Sequence, residues 1–295
     1  RMTTVAVLGG TGLIGRHVIA ALRQAGTSSI VATANRRPAF ESAGVDWRQA
    51  DLTELGPART ALRGAQSAVI CAGRLSTAAE LKRDPVGSVM TTLRIGINSL
   101  EAAAAEGVER VVLMSSTTGY PAGAGAKLED AMFGADPPGD RFGVGWVHRF
   151  LEKQLEWYCR LQRLAAGIAL RPTLVYGPHD DFDPASAHFV PSFIRSVAGR
   201  EKPIEIWGDG SQRRNLIHAA DVAAAVVAVL KDKTAGFAAY NVAAPSGSSV
   251  KEVLTALIEL DGFDDAEVVY RPERASGAAA LDISAEAFSR RYGWQ

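Results

Sequence analysis

The chain has no charge excess: thirty-two Lys and Arg are matched by thirty-two Asp and Glu. A protein built for nucleic acid or an anionic membrane surface would show a basic surplus, so neither partner is expected. No run reaches the ~18 apolar residues of a membrane span, and no signal-peptide pattern precedes the first strand, so a cytoplasmic location is expected. Cysteine is nearly absent. Cys71 and Cys159 have neither CxxC nor any other metal-ligand spacing, which predicts buried free thiols and no metal site. Internal repeats, low-complexity segments and interdomain linkers are also lacking. With 295 residues the chain can bury a full hydrophobic core.

Against that background one stretch is rich in information: Val5-Ala6-Val7-Leu8-Gly9-Gly10-Thr11-Gly12-Leu13-Ile14-Gly15. Val5 to Leu8 suit a buried parallel strand, and from Leu13 to Leu22 apolar residues recur at helical spacing. Gly9, Gly12 and Gly15 mark the turn between them. Gly9 permits the bend, Gly12 lets backbone N–H groups reach a pyrophosphate, and Gly15 brings the helix close to the strand. Thr11, Leu13 and Ile14 line the same anion site at the positive end of the helix.

Strand-like and helix-like patterns then alternate, which predicts an α/β fold: a Rossmann-type doubly wound parallel sheet. Strands are expected at 5–8, 30–34, 46–49, 67–71, 110–114 and 167–170, with clear helices at 13–24, 86–106 and 145–165. From Tyr176 onward the alternation loosens into short elements, with amphipathic helices at 222–230, 250–260 and 285–292. Residues 2–175 therefore read as a dinucleotide-binding domain. Residues 176–295 read as a smaller α/β substrate-binding region, some of whose segments return to the core.

In such a sheet ligands bind beyond the carboxyl ends of the strands. After the second strand stand Asn35, Arg36 and Arg37, where an NAD-binding chain would offer a carboxylate to the ribose 2′-hydroxyl. Two guanidinium groups suit a 2′-phosphate instead, so NADPH is the expected cofactor, with a solvated basic loop as the other reading. Asp51 and Leu52 follow the third strand and would meet the adenine. Cys71, Ala72, Gly73 and Arg74 follow the fourth and would pass under the cofactor.

After the fifth strand comes Met114-Ser115-Ser116-Thr117-Thr118-Gly119-Tyr120-Pro121, and after the sixth Leu170-Arg171-Pro172-Thr173-Leu174-Val175-Tyr176-Gly177-Pro178. Further on stands Trp207-Gly208-Asp209-Gly210-Ser211-Gln212-Arg213-Arg214-Asn215-Leu216-Ile217-His218-Ala219-Ala220-Asp221. In these motifs and their order the chain resembles an extended short-chain dehydrogenase/reductase of the NAD-dependent epimerase/dehydratase kind, over nearly its whole length. Residues 178–188 with Arg213-Arg214-Asn215 are similar to the branch acting on nucleotide sugars. The resemblance implies cofactor contacts from Arg171, Pro172, Thr173 and Val175, and substrate contacts from Ser116, Thr117, Phe182 and Phe189. It also implies that Arg214 holds a substrate diphosphate. An ion pair of Arg214 with Asp209 or Asp221 is the alternative. The family's dimers use two helices that here would be 86–106 and 145–165, so a homodimer is an expectation too. The alanines at 102–105 suit an internal contact equally well.

The family's chemistry rests on a tyrosine followed four residues later by a lysine, and the helix at 145–165 contains no such pair. Aligning that helix on Gly145, Trp146, Glu152 and Tyr158 puts Val144 at the tyrosine position and His148 at the lysine position. Ser116 survives, either to orient a substrate carbonyl or merely to satisfy backbone. His148 can bind the nicotinamide ribose, act as an acid near neutral pH, or face solvent. Tyr120 is a further candidate donor.

Without the pair, the developing alkoxide lacks a protein acid usually worth a factor of about 10² to 10⁴. A ketone flanked by a phenol supplies its own donor. The chain thus reads as an atypical NADPH-dependent ketoreductase of an aromatic polyketide ketone in antibiotic biosynthesis, using substrate-assisted protonation. The alternatives are a nucleotide-sugar 4-ketoreductase or epimerase, and a catalytically silent NADP(H)-binding sensor or scaffold.

Overall fold

The computed structural model describes residues 3–74, 84–123, 125–184, 186–274 and 282–294. Its centre is a sheet of seven strands: β1 (Thr4–Leu8), β2 (Ser29–Ala34), β3 (Val45–Gln49), β4 (Ser67–Ile70), β5 (Arg110–Met114), β6 (Ala166–Pro172) and Gly236–Val242. Every neighbouring pair is parallel, and the order is β3-β2-β1-β4-β5-β6 followed by Gly236–Val242 at the edge. The order reverses between β1 and β4, which opens a crevice at the carboxyl ends of those two strands. β1, β4 and β6 are buried on both faces, as strands covered from two sides are.

Helices fill both faces. On one lie α1 (Leu13–Gln24) and α6 (Ala219–Lys231), whose Val18, Ile19, Leu22, Val222, Val226 and Val229 share a core with Val5, Val7 and Ile168. On the other lie α2 (Leu55–Leu62), α3 (Gly87–Ala105) and α4 (Phe142–Arg160), which bury Leu62, Leu100, Leu151 and Leu155 against Leu8, Ile70 and Leu113. Gly96 of α3 is needed there, because a Cβ would stand 2.4 Å from Leu151 of α4.

Helix α4 begins three residues before the expected Gly145 and stops five before the expected Ala165. Gln162 adopts a left-handed φ of 56°, and Arg163 N–H returns to Tyr158 O at 2.9 Å, so the chain turns at once into β6. The edge strand at 236–242 escaped the periodicity argument. Its sequence GFAAYNV is weakly strand-forming, and it is fixed by its ladder with β6.

The remaining elements form a smaller unit. β7 (Leu174–Tyr176) pairs with β10 (Leu216–His218), and β9 (Arg213–Arg214) with β12 (Ser248–Ser249). β8 (Ile204–Trp207) pairs with β13 (Val268–Arg271), leaving β11 as the label of the edge strand Gly236–Val242. Helices α5 (Phe189–Ala198) and α7 (Val250–Asp261) cover a core of Phe193, Val197, Ile204, Ile206, Leu254 and Phe263. Ser249 and Glu252 form a reciprocal capping box at the start of α7, and Gly262 ends it in the left-handed conformation. The last helix, α8 (Glu286–Tyr292), packs Phe288 against Tyr240 of β11.

Candidate active site

The glycine turn is shaped by close approach. Gly9 has φ +86°, and a Cβ there would stand 2.7 Å from Ala72 N; a Cβ on Gly15 would stand 2.2 Å from Gly9 O. Gly10 is as tightly held, against Ala32 and Trp47. Thr33 anchors the turn from β2, its Oγ1 accepting Gly9 N–H at 2.8 Å and its carbonyl accepting Gly10 N–H at 3.0 Å. Gly12 caps α1 without a side-chain hydrogen bond, and the first turn contains no acidic residue. The leading amides of α1, at Leu13 and Ile14, are therefore left for an anion. Thr11 is buried beside them.

Around this turn the expected cofactor residues gather. Asn35, Arg36 and Arg37 are exposed beyond β2, with Asn35 O accepting from Gln49 Nε2 at 3.0 Å. The Asp51 carboxylate is held below its usual range mainly by the Thr53 hydroxyl and N–H, with a smaller contribution from Arg36. Leu52 is buried, and its carbonyl accepts Asn98 Nδ2 from α3 at 3.3 Å. Cys71 continues β4, and burial pushes its thiol up to about 12; Cys159 rises to about 11, and both are free. Ala72 lies under Gly9, while Gly73 approaches Thr92 of α3 and Arg74 N–H donates to Thr92 Oγ1 at 3.1 Å. This arrangement fits a dinucleotide: a cradle closed to a Cβ at Gly9, Gly10 and Gly15, unopposed helix amides, and cations beyond β2.

At the end of β5, Ser116 caps a short 3₁₀ turn (Thr117–Gly119). Its Oγ accepts from Thr118 N at 3.1 Å and from Thr118 Oγ1 at 2.9 Å. The backbone-satisfying reading of Ser116 is thus realised, yet its own proton is free to be donated. Thr117 Oγ1 donates to Pro172 O at 3.4 Å. Helix α4 presses against this turn because Gly145 has no side chain: a Cβ would meet Pro137 at 2.7 Å and Thr118 O at 2.9 Å. Val144 and His148, one helical turn apart, are both half-buried. Burial pushes the His148 imidazole down to about 4, against a weaker upward pull from Glu152. That shift favours the uncharged imidazole at pH 7 and, of the three readings of His148, weighs against an acid titrating near neutrality. The only tyrosine of α4, Tyr158, is half-buried against the core, and its only lysine, Lys153, pairs with Glu156 at 2.8 Å.

Two expected site residues belong elsewhere. Tyr120 is fully enclosed, its hydroxyl donating to Asn241 Oδ1 at 2.7 Å and accepting from Arg171 Nη1 at 2.9 Å. Burial raises its pKa, and the phenol faces the protein interior, so it is no proton donor to a ligand. Arg171 is equally enclosed. Its guanidinium is paired with Glu152 and donates to Glu129 O at 2.8 Å, so the side chain is turned inward. Pro172, buried Thr173 and half-buried Val175 follow it, with Thr173 Oγ1 donating to Asn215 Oδ1 at 3.3 Å.

In the smaller unit Phe182 is exposed, whereas Phe189 stacks edge-on against Phe193 at 5.8 Å, at the margin of that core. Arg214 is half-buried and makes no ion pair among the described residues. Asp209 bonds Ser211 instead, so the expected alternative of a pair with Asp209 or Asp221 is not realised. Desolvation, and then the like charge of Arg141, pull the Arg214 pKa below its ordinary value. Arg141 itself pairs loosely with Asp140 at 3.8 Å.

Sequence reasoning passed over Arg141 and the trio Arg16, Phe40 and Trp47, and used Glu152 only to align its helix. Only Arg16 carried a signal, as a cation immediately after the third glycine. Among the described residues no group of His, Cys, Asp and Glu could hold a metal, and no helix is long and apolar enough to cross a membrane.

The chain matches the family model "NAD dependent epimerase/dehydratase family" over residues 5–243. It is 30% identical to dTDP-4-dehydro-6-deoxy-D-allose reductase of a Streptomyces species, over 95% of this chain and 88% of that one. It is 28% identical to probable GDP-L-fucose synthase 1 of Oryza sativa subsp. japonica, over 61% of this chain and 56% of that relative, so it spans little more than half of that protein's length. The solved structure of MoeE5 in complex with UDP-glucose and NAD superposes with a TM-score of 0.83 at 26% identity, covering 99% of this chain and 93% of that one. A Rossmann-like fold, the glycine cradle and these likenesses converge: the chain belongs to the NAD-dependent epimerase/dehydratase family.

Proposed function

We propose that this protein is an NADPH-dependent ketoreductase whose substrate ketone carries its own proton donor, a phenolic hydroxyl beside the carbonyl, as in a hydroxylated aromatic polyketide of an antibiotic pathway. The observation that carries this reading is the state of the three candidate donors. His148 is uncharged at working pH, Tyr120 is sealed inside the protein, and Ser116 is an unactivated hydroxyl engaged with Thr118. In this reading Val144 and His148 occupy the positions of the family's tyrosine and lysine. A bound nicotinamide dinucleotide supplies the hydride. The protein's share is orientation: Ser116 and Thr117 meet the carbonyl, neutral His148 hydrogen-bonds the ribose, and Val144 leaves room for a flat polycyclic ring. Arg36 and Arg37 select the 2′-phosphate.

A second reading is favoured by one observation, that half-buried Arg214 makes no ion pair among the described residues and feels the like charge of Arg141. Those cations suit a diphosphate, and the Streptomyces relative is named as a 4-keto sugar reductase, so a nucleotide-linked 4-ketosugar is the competing substrate.

The test is single-turnover hydride transfer from deuterated NADPH to a polycyclic ketone with a neighbouring phenol, to its methyl ether, and to a dTDP-4-ketosugar. The proposal expects transfer to the phenol and a large loss on methylation, which removes the group that stabilises the alkoxide. Equal rates for phenol and ether, or transfer to the ketosugar alone, would sink it.

A homodimer belongs to the same proposal. Phe142, Trp146, Phe150, Trp157 and Leu161 leave an exposed apolar stripe along and just beyond α4, and Val86 and Met90 are exposed at the start of α3; a contiguous apolar stripe of this kind suits an interaction surface. Sedimentation equilibrium of the protein and of Phe150→Glu checks it; a monomer at micromolar concentration counts against it.

A further inference from the structure

Arg16 stands four residues after the Gly12 cap of α1, in the first turns of that helix. Its Nε donates to Thr11 O at 3.2 Å, and its guanidinium lies over the Phe40 ring, 4.2 Å from the centroid. Phe40 is held edge-on by Trp47 of β3 at 4.9 Å. The loop carrying Phe40 is the one that presents Asn35, Arg36 and Arg37, so this contact ties the glycine turn to the expected 2′-phosphate corner. Arg16 makes no ion pair among the described residues, and its two terminal nitrogens donate to no protein acceptor there. The other two arginines of the corner are partly answered within the protein. Asp51 feels Arg36, and Asp180 and Asp181 feel Arg37. A half-buried guanidinium clamped on an aromatic face, with its outer donors unused, has already lost the rotamer freedom that anion binding would otherwise take from it.

We propose that Arg16, held by Phe40 and the Thr11 carbonyl, joins Arg36 and Arg37 in gripping the 2′-phosphate of the adenosine ribose and adds its own share to the preference for NADPH over NADH. This inference rests on the NADPH reading above. A planar guanidinium can meet that phosphate with two donors while its opposite face stays on Phe40. Phe40 is then a positioning residue: it touches no ligand but fixes the fork.

Calorimetric titration of the full chain with NADPH, NADH, 2′,5′-ADP and 5′-AMP tests it. Arg16→Ala should weaken NADPH and 2′,5′-ADP about 10-fold or more while leaving NADH and 5′-AMP within about twofold. Arg16→Lys should recover part of the loss, since it returns the charge but not the plane. Phe40→Leu should cost NADPH a few-fold and leave NADH alone. Arg16→Gln serves as the charge-free variant should alanine unfold the turn. If NADPH and NADH weaken equally in a folded variant, Arg16 serves the pyrophosphate or the packing, and the proposal is wrong. If the unmutated protein binds both dinucleotides equally, the NADPH reading itself fails and takes this inference with it. A preference for NADPH that is undiminished in Arg16→Ala overturns the Arg16 assignment alone.

Discussion

Arg171 and Glu152 meet in full burial, Nη2 donating to Oε2 at 2.6 Å and Nε to Oε1 at 2.9 Å. Ser115 Oγ donates to the same Oε1 at 2.5 Å, so one carboxylate joins α4 to β6 and to the end of β5. That junction sets where Val144 and His148 stand relative to Ser116. Truncating one partner strands the other charge, so Glu152→Ala should cost about 3 to 5 kcal/mol, read by chemical denaturation. Glu152→Leu with Arg171→Met should recover most of it. A single-mutant loss below ~1 kcal/mol would deny the pair this role.

The depressed His148 pKa, about 4 against an ordinary 6.5, also has a stability signature. Between those values the unfolded chain binds the proton that the folded chain refuses. The His148 contribution is present above pH 6.5 and is lost as pH falls toward 4. His148→Gln should therefore flatten the acid side of a stability profile between those pH values. In kinetics His148→Ala and Ser116→Ala should each slow turnover about 10-fold by loss of positioning, with no new inflection near pH 6.5. An NMR titration showing the imidazole protonating near neutrality would refute the first part.

Replacement of Gly15 by alanine should abolish dinucleotide binding, because a Cβ 2.2 Å from Gly9 O cannot be accommodated without moving the turn. Gly9→Ala should be comparably damaging, from its positive φ and from Ala72. Gly44→Ala, whose φ is also positive but whose Cβ would meet nothing, is the control for backbone strain alone. Dinucleotide titration of the three, with circular dichroism to confirm folding, checks the steric account. Equal behaviour of all three would contradict it.

Removing both cations after β2, by Arg36→Ala with Arg37→Ala, should cost NADPH about 1.5 to 3 kcal/mol of affinity through lost charge-assisted phosphate contacts and change NADH little. Calorimetry against both cofactors decides. A parallel drop in the two would mean that this loop supports the fold rather than the phosphate.

Asp232 fastens the C-terminal helix to the end of α6. Its carboxylate accepts from Thr234 N at 2.8 Å, Thr234 Oγ1 at 2.7 Å, Tyr292 OH at 2.9 Å and Arg291 Nη2 at 3.1 Å. These donors hold its pKa far below the ordinary carboxylate value, while burial and the Asp232 contact raise the Tyr292 phenol. The stabilisation is present above the ordinary value near 3.8 and is lost as pH falls further. Asp232→Asn should loosen α8, seen as faster amide hydrogen exchange over 286–292, with Tyr292→Phe giving a smaller effect. Unchanged exchange in Asp232→Asn would count against the fastening.

The sequence by itself determined the doubly wound sheet and the phosphate turn, because both are written in local terms. Apolar runs of strand length and glycines at fixed spacing specify a strand, a bend and a helix whatever surrounds them. Helix α1 accordingly falls at the expected 13–24. The tertiary structure decided the rest. Motif position put Arg171 and Tyr120 at strand ends and suggested ligand contacts, but only the packing of α4 on β6 turned both side chains inward, toward Glu152 and Asn241. The charge of His148 depends on how many atoms crowd its ring, which no spacing reveals. Strand β11 exists because β6 offers it an open edge, and Arg16 acquired a direction only when Phe40 came to lie beneath it. Local backbone constraints are carried by neighbours in the chain, whereas side-chain direction and burial are set by neighbours in space.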